Sequence, residues 1–160
     1  MDQAHLHLVL NHFPILGSFF GAFVLSYGLI KKNRTIKRFG LLVIFLVAVA
    51  TIPAYVTGEA AEHATEDLYG SSHHMLEEHE DLAKIAFPIM LVLGGFSGLI
   101  WFLSGRNEEK DYSKATWAIL VSTVLMFAFM ALIGNHGGKI RRPELRGEQV
   151  IVQKDHDELH

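Results

Sequence analysis

This chain of 160 residues contains no cysteine. The absence excludes disulfides, thiolate-bound metals, iron–sulfur clusters and cysteine nucleophiles. Charge is also missing from four long stretches, which together make up more than half of the chain: residues 3–30, 39–58, 85–105 and 115–138. A soluble domain interleaves charged with apolar residues, because each helix or strand has a face in water. Uncharged, mostly apolar runs of about 18 residues or more instead indicate membrane spans.

Several classes of function are excluded by what the chain lacks. The formal net charge is −3, and no basic stripe of the kind that binds nucleic acid is present. There is also no phosphate-binding glycine loop, no dinucleotide-binding glycine fingerprint and no HExxH metalloprotease motif. The partner that the composition does predict is the lipid bilayer, and not a nucleic acid.

The apolar runs predict the fold class. They are long and do not alternate, so they predict helices, which satisfy their backbone hydrogen bonds within each segment in lipid. We predict an all-α integral membrane protein with an up-down four-helix bundle in residues 1–145 and a polar C-terminal tail in 146–160. Helices 2 and 3 are expected to extend outside the bilayer as a polar hairpin. The predicted spans cover about residues 6–30, 39–58, 85–103 and 115–134.

The positive charges predict the orientation. The connections at 31–38 and 104–114 carry eight lysines and arginines, whereas the 59–84 connection carries only Lys84. Cytoplasmic loops are the ones enriched in Lys and Arg. Both termini are therefore predicted to lie outside the cytoplasm, and the predicted location is a bacterial inner membrane.

The ten histidines all fall toward the predicted outer side. An ionisable residue inside an uncharged span is costly and is a functional hypothesis by default, which singles out His12. Other candidates fall near the same outer level on different helices: Glu59, Glu62, His63, His79 and His136.

Two kinds of cofactor fit these residue types. Imidazoles and carboxylates from facing helices build metal centres in bundles, and nitrogen and oxygen ligands suit Fe, Cu or Zn. Such a metal site would draw on all six residues: His12, Glu59, Glu62, His63, His79 and His136. A b-type haem needs two axial histidines on facing helices, and His12 and His79 are then the expected pair, because helices 1 and 3 are diagonal in an up-down bundle.

Short motifs on all four predicted helices carry a family resemblance. The opening His7-Leu-Val-Leu-Asn-His12-Phe13-Pro14 resembles the HxxxxHFP opening of the small four-helix membrane proteins known as domain of unknown function 2231. Three further parts of the chain resemble that family. They are Thr57-Gly58 with the acid that follows it, the histidine of helix 3 at position 79 (His79), and the segment that begins Gly137-Gly138. The chain departs from it in carrying Glu59 for an aspartate and Arg141-Arg142-Pro143-Glu144 where Tyr and His are frequent. The resemblance implies the fold and an outward-facing cluster of histidine and acid, without an activity.

Two functions remain open at the level of sequence. The first is a membrane metal- or haem-binding protein, linked to redox chemistry or electron transfer, with a His/Glu centre near the outer face. The alternative is a non-catalytic accessory or assembly subunit, in which the acidic, histidine-rich hairpin docks an exported partner such as a redox protein. A second copy of the chain, in a homo-oligomer, is the other partner that remains open.

Overall fold

The computed structural model describes residues 3–65, 73–107 and 109–140 of the chain, and in this part it is entirely helical with short connections. The all-α prediction is confirmed. The helices are α1 (Gln3–Leu10), α2 (His12–Ile30), α3 (Arg34–Thr65), α4 (His73–Arg106) and α5 (Ser113–Ile140).

Four helical segments are long and apolar enough to cross a membrane: Leu6–Ile30, Arg34–Gly58, Leu76–Arg106 and Ser113–Gly138. This confirms the four apolar helices. The first of these segments differs from the prediction, because a turn at Asn11 separates α1 from α2. Pro14 explains the break in part, since proline has no N–H to donate to the carbonyl of Leu10 four residues earlier.

The connection between α2 and α3 is a tight turn with satisfied helix ends. Lys32 adopts a left-handed φ of 51°, and the backbone N–H of Asn33 donates to the Gly28 carbonyl oxygen over 2.9 Å. This is the Schellman arrangement that closes helix C-termini. The Asn33 side chain then caps α3 by accepting the Ile36 N–H over 3.0 Å. The cap makes α3 begin at Arg34, a few residues earlier than the sequence predicts.

The helices pack around one core. α2 packs against both α3 and α5, α4 packs against the same two helices, and α1 lies on α3. Leu25 of α2, Leu41 and Ile44 of α3 and Met90 of α4 are fully buried in this core. α2 and α4 are therefore diagonal to each other.

The distribution of polar and apolar side chains between the interior and the surface is unlike that of a protein in water. Small hydroxyl residues are buried in the interior: Ser18, Thr51, Ser97, Thr116 and Thr123. Large apolar side chains project outward instead, with exposed fractions of 64% for Phe23 and 66% for Leu125. Lipid removes the penalty for exposed apolar surface, and helices in lipid associate through small and hydroxyl-bearing residues. The surface is thus compatible with lipid contact.

Candidate functional site

His7 on α1 is held against α3 by a backbone carbonyl. Its Nδ1 lies 3.0 Å from the Ala54 carbonyl oxygen. A carbonyl oxygen can only accept, so Nδ1 carries the hydrogen, and the neutral ring keeps a free lone pair on Nε2. Gly58 makes room for the ring, because a Cβ atom at that position would lie 2.9 Å from Cε1 of His7.

His79 on α4 makes the equivalent contacts with α5, one with a backbone carbonyl and one with a glycine. Its Nδ1 lies 3.2 Å from the Ile133 carbonyl oxygen, which again makes Nδ1 the donor and leaves Nε2 as an acceptor. A Cβ atom at Gly137 would lie 3.1 Å from Cε1 of the ring. Both histidines are half-buried.

The two arrangements follow one rule. Each histidine donates to the carbonyl of a residue on the neighbouring helix, and that helix carries a glycine four positions later, which lies on the same face one turn along. The pairs are Ala54 with Gly58 and Ile133 with Gly137. Histidines that ligate metals commonly donate their other ring N–H to a backbone carbonyl, which fixes the ring and the tautomer. Both rings therefore carry their hydrogen on Nδ1, the tautomer that ligation through Nε2 requires.

A third histidine and an amide lie at the same end of the bundle. His136 lies on α5 between Ile133 and Gly137, the two residues that contact His79, and His7 lies at the same end of the bundle. Nδ1 of His136 and Oδ1 of Asn11 are buried, and within the described part of the chain neither has a hydrogen-bond partner. A buried polar atom without a partner costs about 1–3 kcal/mol, so an additional group that satisfies these atoms would be stabilising. We refer to His7, His79 and His136 as the histidine cluster.

His12 lies elsewhere. Its ring is exposed, and Nδ1 donates to the Leu8 carbonyl oxygen of its own segment over 2.6 Å. It borders an open apolar groove formed by α2 and α3, whose other lining residues include Leu16 and Val43. The structure thus puts His7, His79 and His136 at the same end of the bundle, and it puts His12 on the outer face of α2 and α3.

The remaining predicted ligands belong to the end of α3. Glu59, Glu62 and His63 lie on its last turns before Thr65, but their side chains lie outside what the structure describes, as do the hairpin tip at 66–72 and the tail at 141–160. Among the side chains that are described, no group of three or more His, Asp or Glu residues is close enough to hold a metal ion.

Sequence reasoning missed His7 as a candidate site residue. One signal for it was present, since His7 opens the motif that also contains His12, with Asn11 one helical turn later on the same face. The role of Gly58 and Gly137 as the surfaces on which imidazoles rest had no separate signal, because glycines in apolar helices are commonly packing residues.

No protein-family model, curated protein or solved structure matches this chain. The resemblance to the domain of unknown function 2231 therefore stays a prediction.

Proposed function

We propose that this chain is an integral membrane protein that binds haem iron or a transition-metal ion through histidines at one end of its bundle, and that the bound metal serves electron transfer. One observation carries the proposal. His7 and His79 come from different helices, and each donates Nδ1–H to a backbone carbonyl, which leaves Nε2 free to ligate.

The number of such rings favours haem. A haem needs only two ligands from the protein, and His7 and His79 would supply them. A non-haem Fe, Cu or Zn ion requires further protein ligands. His136 and the α3 residues Glu59, Glu62 and His63 are the candidates for that alternative.

The proposed setting is an up-and-down bundle in a bacterial inner membrane with the histidine cluster outside the cytoplasm. Two features support it. The four apolar helices have membrane-spanning length, and the lysines and arginines concentrate at the opposite end, around the start of α3 and the α4–α5 connection. An outer location would place the metal within reach of an exported redox partner.

The proposal is tested on the full-length chain purified in detergent from membranes. Absorption spectra before and after reduction by dithionite, together with elemental analysis, report on both forms of the site. A Soret band with sharp bands on reduction supports haem, and stoichiometric Fe, Cu or Zn without those bands supports the non-haem form. A protein that contains neither, and that takes up neither haem nor these metals when they are added, contradicts the proposal and favours the accessory docking function predicted from the sequence.

A further inference from the structure

We propose that a basic cavity at the other end of the bundle, away from the histidine cluster, binds a phosphate group. The cavity has a volume of about 230 Å³ and lies between the first turns of α3, the end of α4 and the α4–α5 connection. The basic residues that line it are Arg34, Lys37, Arg38 and Lys110. A site here is independent of whether the protein binds a metal.

Three of these cations occupy one face of α3. Arg34, Lys37 and Arg38 are spaced three and four positions apart, which puts them on neighbouring turns of the same side, and all three are half-buried. The Arg34 guanidinium also donates to the Ser104 carbonyl oxygen, which joins α3 to the end of α4. Lysines and arginines at this end also orient a membrane protein, but that role is served by exposed side chains and does not require burial.

Arg38 has a buried hydrogen-bond donor that lacks an acceptor within the described residues, and an anion could supply one. Its guanidinium lies 5.8 Å from the centre of the Trp101 ring, and a Cβ atom at Gly105 would lie 3.1 Å from its Cζ. Its Nε is buried and has no hydrogen-bond partner within the part of the chain that the structure describes. A buried donor in that condition is costly, and more so when the group is charged. An acceptor that reaches Nε from the cavity would remove the cost.

The cavity has two acidic lining residues against its four basic ones. Glu109 and Asp111 are both exposed. Hydrogen bonds from the Ser113 hydroxyl and from its backbone N–H, the latter over 2.9 Å, hold the pKa of Asp111 below its ordinary value. The Asp111 carboxylate is thereby engaged at the start of α5, where a negative charge is favourable. Asp111 also acts electrostatically on Lys37, so the acidic residues offset part of the basic charge, and the lining keeps an excess of two positive charges.

Phosphate is the anion that fits best. Guanidinium groups match phosphate oxygens in pairs, and a lysine ammonium adds a point charge. The cavity also lies at the charged end of the apolar segments, the level at which lipid headgroups meet a membrane protein, and basic pockets between helices on that side bind anionic headgroups. The phosphate therefore comes either from a lipid headgroup or from free phosphate.

Trp101 provides the measurement. The chain has two tryptophans, so Trp117→Phe leaves Trp101 beside Arg38 as the only one. Detergent-solubilised protein is titrated with dioctanoyl phosphatidylglycerol, with dioctanoyl phosphatidylcholine and with inorganic phosphate, while Trp101 fluorescence is recorded. We expect a saturable change with phosphatidylglycerol that phosphatidylcholine does not give at the same concentrations. A saturable response to inorganic phosphate alone assigns the site to free phosphate and also supports the proposal.

Matched variants decide whether the cavity is responsible. Arg38→Gln is expected to weaken the response at least tenfold, whereas Arg106→Gln, which removes an exposed arginine stacked on Phe102 at the same end, leaves it unchanged. Circular dichroism checks that both variants are folded, and Lys37→Gln replaces Arg38→Gln if that variant is not. Equal responses from the cavity variant and Arg106→Gln, or no saturable response to any of the three probes, would overturn the proposal.

Discussion

At the scale of single residues, the side of the helix decides which histidine enters the bundle. In one continuous helix His7 and His12 would lie roughly 140° apart, at about 100° per residue, and in the structure they lie on α1 and α2, on either side of the turn at Asn11. His7 contacts α3, and His12 is exposed beside the α2–α3 groove. The sequence could place the histidines at this end, but a segment that is apolar all round does not reveal which face is interior. His12 was therefore chosen because it lies deeper in the uncharged run than His7, and His7 was missed.

The glycines under the two rings give a prediction at this scale. Gly58→Ala and Gly137→Ala would each put a Cβ about 3 Å from an imidazole carbon, displacing the ring from its carbonyl partner. Losing such an outer partner typically weakens metal binding by about 10–100-fold. We expect a weakening of that size when the cofactor found in the wild-type protein is titrated into the emptied variants.

Gly138→Ala is the control, since a Cβ there meets nothing within 4 Å. Affinities that are the same for the variants at Gly137 and Gly138 would show that the ring position does not matter for ligation.

At the scale of the helices, close packing depends on particular glycines. Small residues at intervals of three or four positions in α2 and α4 are typical of close helix packing. Two neighbouring glycines of α4 nevertheless differ in how much space the structure leaves for a side chain. A Cβ at Gly94 would collide with Ala48 of α3, whereas one at Gly95 meets nothing within 4 Å. Adjacent residues in a helix point about 100° apart, so only one of the pair faces the neighbouring helix. The existence of four apolar helices could be read from the sequence, but which residue of a glycine pair faces inward could not.

Stability measurements distinguish these two glycines. Gly94→Ala is expected to destabilise the protein by about 1–3 kcal/mol, since it overfills the α3–α4 contact. Gly95→Ala is expected to stabilise it by about 0.5–1 kcal/mol, because alanine is the better helix former in an open position. Denaturation followed by circular dichroism in one detergent gives both values. The packing account is wrong if the two variants have the same stability.

At the scale of the whole molecule, the two ends of the bundle have different chemistry. One end holds the histidine cluster, and the other holds the half-buried basic residues of α3. The sequence predicts this separation because charges excluded from apolar spans collect in the connections. Contacts across the helices, such as the one between His79 and the Ile133 carbonyl oxygen, join residues 54 positions apart and could not be read from local spacing.

The absence of native cysteine makes the proposed orientation testable without background labelling. His74→Cys replaces a side chain that is 82% exposed near the start of α4, and Asn107→Cys replaces an exposed residue just after its end. We expect a membrane-impermeant thiol reagent to label position 74 on cells or spheroplasts with an intact inner membrane, and position 107 only after that membrane is permeabilised. The reverse pattern would place the histidine cluster on the cytoplasmic side.

Whether His7 and His79 bind the cofactor is tested most directly by the amount of haem or metal bound per chain. Three proteins are purified side by side for this measurement: the wild type, the His7→Ala/His79→Ala double variant and His12→Ala. We expect a stoichiometric cofactor in the wild type, none in the double variant and an unchanged amount in His12→Ala. Circular dichroism checks that all three proteins are helical. A wild-type protein that binds no cofactor, or a folded double variant that binds as much as the wild type, would contradict this role of His7 and His79.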